Sequence, residues 1–524
     1  MSVNMRGLVT QPVSKEEQKF LLLIVCSAVV LFLFFSLAWP VGPGRLFSDY
    51  LLHYYGVIGF NIFHRSPGSS HIIGWISLLS HPWFEFIFLL FYVAHILMAY
   101  YIARHFGMMT ARIVAIVLLF DMAVMDIFHG LQQAPLLSLA VSIWSASLYY
   151  FFRSESTKTL FLIGLGTASL LLFRQSTLIY ILSLSFPVIC FGFSKKNFKR
   201  VAILAAGFLF GYFGILTYNY HAFGVFKLAG SAVNQLPTYH VTLTAPRFSP
   251  DYGPHNKKLL KAVEEELLCK DWYIQNKVTM NNFLHGPLNT NVVRDLYIMD
   301  SWYPGIYHNA VYESVRANPL EFIKSLFTIT WIMHVNDPEL LPPSPYSDVA
   351  AAVKLMRKHK REKHDNDVDP IIPAEMIDKG CAKVVQHPRG DSDFFAKLFV
   401  DPSFPFNPLK TEKNIQLIKN VREIEDRLTN VGSYHVSYAI ISFFRTINPP
   451  MLFFLVPSFF LAFKLRFVEV RLFATILIPT YLSVLITGLL PLPMAEYRVP
   501  YDFLIILGGV VGLQSVFGRM LSTK

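Results

Sequence analysis

Asp49 is the first side chain of this sequence placed to do chemistry. It follows an apolar stretch by about ten residues, so its carboxylate falls near a membrane edge, where partial desolvation penalises the charged form and suits a general base. After Ser48 and before YLLHYYGVIGF, the same residue also fits a helix N-cap. Arg174 and Arg498 stand at ends of apolar stretches and Arg65 in the long connection between the first two, and each guanidinium presents paired N–H groups to an anionic oxygen pair. Tyr497 adds a hydroxyl beside Arg498. The plainer roles are a surface salt bridge to Glu496 for Arg498 and snorkelling for Arg174. Asp126, His129, Gln133 and His53 could line an adjoining polar subsite, although His53 also suits an interfacial structural role. Asp121 and Asp126 fall within an apolar stretch, where a carboxylate costs roughly 2.5–3.5 kcal/mol to insert and is by default functional.

The elements that position these residues follow from composition. Of 524 residues 53% are hydrophobic and only 15% charged, with mean hydropathy +0.42, which excludes an ordinary soluble chain. Stretches long enough to cross about 30 Å of hydrocarbon fall at 20–40, 84–103, 111–128, 135–152, 159–173, 176–193, 201–218, 448–463, 472–490 and 501–518. They predict an all-α polytopic protein of about ten transmembrane helices. The first lacks a small-residue cleavage site and is expected to remain as an anchor.

A net charge of +11 would raise nucleic acid as a partner in a soluble protein, but the positions of the charges answer the question differently. One set of short connections carries sixteen Lys and Arg, and the alternate set carries four: Arg45, Arg65, Arg174 and Arg498. The basic majority belongs on the cytoplasmic side, so both termini are expected there and no nucleic-acid partner is implied. Topology does not require the four outer arginines.

Residues 1–219 then form an N-terminal transmembrane module of seven spans, with a first outer loop at 41–83 that should hold short interfacial helices. Residues 220–435 form an extracytoplasmic insertion of mixed structure, and 436–524 a C-terminal module of three spans. Within the insertion KKLLKAVEEELL (257–268) and KNIQLIKNVREIEDRL (413–428) read as helices, and NPLEFIKSLFTITWIMHV (318–335) as an amphipathic or membrane-skimming one. The basic run KLMRKHKREKH (354–364) reads first as a solvated helix face. Four cysteines exclude a disulfide scaffold, and none sits in a metal-ligand spacing; a Cys269–Cys381 bond is permitted if the insertion meets an oxidising compartment. No Asn-x-Ser/Thr sequon occurs, which weighs against a eukaryotic secretory setting and towards a bacterial cytoplasmic membrane.

Several strings recur in a telling order: Asp49, then GVIGFNIF (56–63) and HRSPGSS (64–70), GLQQAPLLSLA (130–140), LLLFRQSTLIYILSLSFP (171–187), TYNYHAFGVFKLAGSAVN (217–234), ANPLEFIKSL (317–326) and AEYRVPYDFLII (495–506). In this order they resemble the GT-C glycosyltransferases, in the branch of protein O-mannosyltransferases, lipid A aminoarabinose transferases and Rgt-type lipopolysaccharide-core transferases. Two positions depart from the pattern. Ala134 stands where an acidic residue precedes the proline of span four, and Gln175 stands where a proline follows the arginine. Asp126 and His129 are the substitutes at hand for the missing acid.

The resemblance implies an integral-membrane enzyme that transfers a sugar, with inversion, from a polyprenyl-phosphate donor to a glycan, lipid or protein acceptor at the outer face. It implies Asp49 as the base and Arg174, Arg498, Arg65 and Tyr497 around the donor phosphate. Asp126, His129, Gln133 and His53 fall on the acceptor side, within surrounding membrane lipid. No cofactor beyond the lipid-linked donor is implied, and no metal, since the first loop lacks an acidic pair. Competing readings are a lipid-linked oligosaccharide flippase or transporter, an O-antigen polymerase or ligase, and an inactive partner subunit of GT-C architecture.

Overall fold

The computed structural model describes residues 14–37, 41–43, 66–223, 244–269, 278–285, 305–335, 451–489 and 497–522, with a few single positions between them. The fold is helical, and among the described residues six helices are long and apolar enough to cross a membrane. α1 (Lys15–Ser36), α3 (His81–Arg104), α6 (Gln133–Phe151), α9 (Lys195–Phe223), α15 (Val468–Thr487) and the final α16 (Asp502–Ser522) carry them. Four shorter apolar segments, Met108–Leu119, Thr157–Leu172, Gln175–Phe191 and Leu452–Lys464, occupy the remaining apolar stretches of the sequence.

The shorter segments are short for visible reasons. The stretch 111–128 divides into α4 (Met108–Leu119) and α5 (Met122–Ile127), because the Asp121 carboxylate accepts the N–H groups of Ala123 and Val124 at 3.0 and 3.3 Å. Asp121 is thus a buried N-cap at a break, where the sequence placed it inside one continuous span. After α7 (Thr157–Ser169) the chain tightens into 3-10 turns at Leu170–Leu172 and Gln175–Ser185 before α8 (Phe186–Phe191). α14 (Leu452–Ser458) contains Pro457 and likewise runs into a 3-10 segment, Phe459–Lys464.

Between lipid-exposed helices apolar burial gives little net drive, so close backbone approach and polar contacts hold them. Gly164 of α7 lies against the Leu204 carbonyl and Gly207 of α9 against the Phe161 carbonyl, leaving no room for a Cβ on either helix. Hydroxyls join the 3-10 segment Gln175–Ser185 to α15: Tyr180 to Thr480 at 2.7 Å, Ser183 to the Thr475 carbonyl at 2.7 Å and Ser176 to Ser483 at 3.2 Å. At the other end of the bundle Glu17, buried on α1, receives Arg104 of α3 at 3.0 and 3.1 Å and the Tyr100 hydroxyl at 3.0 Å.

Immediately after Val41 the chain pairs with a distant segment. β1 (Gly42–Pro43) runs parallel to β2 (Gly130–Leu131), with Gly42 opposite Gly130. Further along the chain comes α2 (Pro67–Ser77), started by Pro67 in the first helical position.

The described part of the insertion has its own core, containing Leu259, Val263, Phe283, Tyr307 and Val311. Around it lie α10 (Pro254–Ala262), which continues as a π turn over Val263–Leu267, α11 (Met280–His285) and α12 (Ile306–Ala317). α13 (Pro319–Val335) occupies the predicted skimming segment. The stretches 354–364 and 413–428 lie outside the described residues, as does Cys381. Cys269 is disulfide-bonded, whereas Cys26 and Cys190 are free thiols.

Glu313 of α12 closes the start of α10, accepting the backbone N–H groups of His255 and Asn256 at 3.2 and 2.9 Å, with His255 Nδ1 at 2.6 Å. Partial burial opposes its charge, but hydrogen bonds from Asn256 and His255 outweigh that and hold the carboxyl below the usual carboxylate range. Two outcomes are expected. Gly207→Val in α9 should lower stability in detergent by about 1–3 kcal/mol, read by thermal unfolding, because the added methyls overpack the helix contact. Glu313 stabilises the fold above the unfolded carboxylate's pKa, and the gain fades as pH falls through the lower folded value. Glu313→Gln should therefore destabilise the insertion at pH 7 and lessen its loss of stability on acidification, read by unfolding across pH 3–7.

Candidate functional site

Four stretches that the sequence keeps far apart meet at one end of the helix bundle. The turn Val499–Tyr501, between α15 and α16, packs on α5 and α6. Arg498, just before it, is buried with 0% exposure and grips Asp502 with two bonds, Nε to Oδ1 at 2.8 Å and Nη2 to Oδ2 at 2.9 Å. A bidentate partner of Arg498 thus lies four residues downstream on the same chain; Glu496, the partner offered by the sequence, lies outside the described residues. Tyr501 anchors the turn from its far side, its hydroxyl 3.0 Å from Ser483 of α15.

Arg174 enters from the junction of the two 3-10 segments. Its guanidinium sits over the Tyr497 ring, 5.0 Å from the centroid, and Nη1 donates to the Tyr497 carbonyl at 3.2 Å. The side chain is half-buried, so snorkelling at a free helix end does not describe it. The charge of Arg498 is matched by Asp502, and among the described residues no ion pair to Arg174 is found.

The N-terminus of α2 abuts the same junction. Ser69 Oγ donates to the Phe173 carbonyl at 3.2 Å, and a Cβ at Gly68 would come within 2.7 Å of the Leu172 side chain. Further along α2, His71 Nε2 lies 2.6 Å from the Tyr218 hydroxyl of α9, and burial pushes this imidazole below its ordinary value.

His129 is fully buried in the connection between α5 and β2. Its ring stacks on Phe32 at 4.1 Å, while Nδ1 lies 2.8 Å from the Met125 carbonyl and Nε2 3.2 Å from Ser36 Oγ. It braces α1 against α5; Asp126 nearby is half-buried, and Gln133 is the first residue of α6. Asp49, His53 and Arg65 lie outside the described residues.

Sequence reasoning missed Glu85. This carboxylate, one turn into α3, accepts the Ser36 hydroxyl at 2.7 Å and the Val41 N–H at 2.9 Å. It fixes the exit of α1 immediately before β1. An acidic residue inside the apolar run WFEFIFLL was the available signal. Among the described residues, no group of three or more His, Cys, Asp and Glu side chains is placed to hold a metal ion.

The chain matches no family model, no curated protein and no solved structure.

Glu85→Ala should free the Val41 amide from a charged acceptor, a loss of about 1.5–3 kcal/mol locally. Hydrogen exchange at Val41 should rise by roughly ten- to a hundredfold, with amides in the middle of α15 unchanged.

Proposed function

We propose that this protein is an integral-membrane glycosyltransferase that takes its sugar from a polyprenyl-phosphate donor at the outer face. The observation that carries the reading is the meeting of Arg174, Tyr497 and Arg498 with the N-terminus of α2, since these belong to three of the motifs on which the GT-C resemblance rests. In this reading the chain crosses the membrane ten times, with both termini in the cytoplasm and the 220–435 insertion outside. The bias of basic residues among the short connections and the disulfide at Cys269 both favour that orientation.

Asp49 is the base. Six residues of chain separate it from Pro43, a reach of at most about 20 Å from the β1–β2 anchor. Its carboxylate takes the proton of the acceptor hydroxyl as that oxygen bonds to the anomeric carbon from the face opposite the phosphate. The bond from the anomeric carbon to the phosphate oxygen breaks, its electron pair leaves with the lipid phosphate, and the sugar inverts. Arg174 is the principal cation for the departing phosphate, aided by Arg65 and by the Tyr497 hydroxyl. Arg498 acts mainly through its grip on Asp502, which holds Tyr497 in place for Arg174. Asp126 and Gln133 lie towards the acceptor.

The test is sugar transfer in proteoliposomes supplied with a pool of polyprenyl-phosphate sugars and candidate acceptors. Asp49→Asn should lower transfer by about 10²–10⁴ without changing the melting temperature. Arg174→Ala should weaken donor use, and Arg174→Lys should restore only part of it, because an ammonium lacks the paired N–H groups. Full transfer by a folded Asp49→Asn protein would overturn the mechanism, and a C-terminal reporter active outside the cytoplasm would overturn the topology.

A further inference from the structure

α13 has three faces, and two of them are occupied. Phe322 packs against the core of the insertion and meets the edge of the His240 ring at 5.1 Å. Ile329, two turns on, belongs to the core of the transmembrane helices. Leu326 and Thr330 close over Gly488, the residue that follows the last turn of α15. These contacts fix the C-terminal half of α13 at the level where a candidate membrane span ends.

The third face carries Leu320, Ile323, Phe327 and Trp331, exposed by 80, 46, 59 and 55%. Spaced i, i+3, i+7 and i+11, they fall within an arc of about 80° on an ideal helix. Lys324 and Thr328 flank the stripe and are also exposed. A large apolar face of this kind, tied to the end of a span and closing on a tryptophan, has the build of a helix lying in the membrane interface.

We infer that α13 is a membrane-interface helix whose Leu320, Ile323, Phe327 and Trp331 side chains enter the outer leaflet of the bilayer. The occupant of this face is lipid acyl chain, with Lys324 at the headgroups. The inference rests on the membrane reading but not on sugar transfer. Its consequence is that the insertion is seated on the lipid as well as on the helices, so that its height above the membrane is set.

The probe is tryptophan emission of the full-length protein in phosphatidylcholine vesicles, with or without bromines on the acyl chains. Subtracting the Trp331→Phe spectrum from the wild-type one isolates Trp331. The same subtraction with Trp83→Phe isolates a tryptophan exposed on the first turn of α3. Trp331 emission should fall by about twofold or more with bromines at shallow chain positions and resist aqueous iodide. Quenching by iodide and not by brominated lipid would place the stripe in water. Resistance to both would mean that protein, such as a second copy of the chain, covers it. Either result overturns the inference while Trp83 remains quenched by brominated lipid. If neither tryptophan responds to brominated lipid, the membrane placement itself fails and the inference falls with it.

Discussion

The buried pair of Arg498 and Asp502 is the interaction on which the rest of the site depends. Two charges at 0% exposure forfeit their hydration, and only a fork-to-fork geometry of short bonds returns enough to keep both ionised. Losing one partner of such a pair typically costs about 3–5 kcal/mol, because the other charge is left stranded. The four-residue spacing ties the guanidinium to the first residue of α16, and this fixes the path of the chain entering that helix. Tyr497 is thereby presented to Arg174, while Tyr501 is turned towards Ser483.

A different set of forces holds the surrounding helices. Gly164 and Gly207 let two backbones touch, which gains dispersion contacts where lipid would otherwise pack equally well. The hydroxyl contacts of Tyr180, Ser183 and Ser176 with α15 act beside the 3-10 segment, whose tighter turns bring these side chains to one neighbour. Charged contacts that fix position include Glu17 with Arg104, Glu85 at the exit of α1, and Arg498 with Asp502, beside the more exposed pairs of Glu155 with Lys196 and Arg200 and of Arg153 with Glu469.

Much of this was legible in the sequence for a simple reason. An apolar stretch of membrane length is a strong signal; of the arginines picked out by charge bias, Arg174 packs on Tyr497, the neighbour of Arg498. Pairing was less legible. Asp502 was read as part of a terminal span although it stands one turn from Arg498, and Glu85 was passed over inside an aromatic run. Asp121 was read as an intramembrane carboxylate, yet it caps a helix that begins after a break. In each case the sequence showed a costly charge, and its compensation depended on three-dimensional neighbours: a backbone amide, a serine 49 residues away, or a guanidinium one turn back. His129 shows the converse, since a residue chosen for a polar subsite proved to be a strut between two aromatic rings.

The contact between Glu17 and Arg104 also bears on how the protein is made. The two residues are 87 positions apart, so at about 5–20 residues per second the ribosome delivers the arginine roughly 4–17 s after the glutamate. During that interval α1 must hold an acidic side chain at the membrane boundary before its partner exists. Glu17 sits in the first turn, where the unpaired N–H groups and the positive end of the helix dipole partly satisfy a carboxylate. α1 can therefore hold its carboxylate before α3 is made and then retain α3 through Arg104 when it arrives.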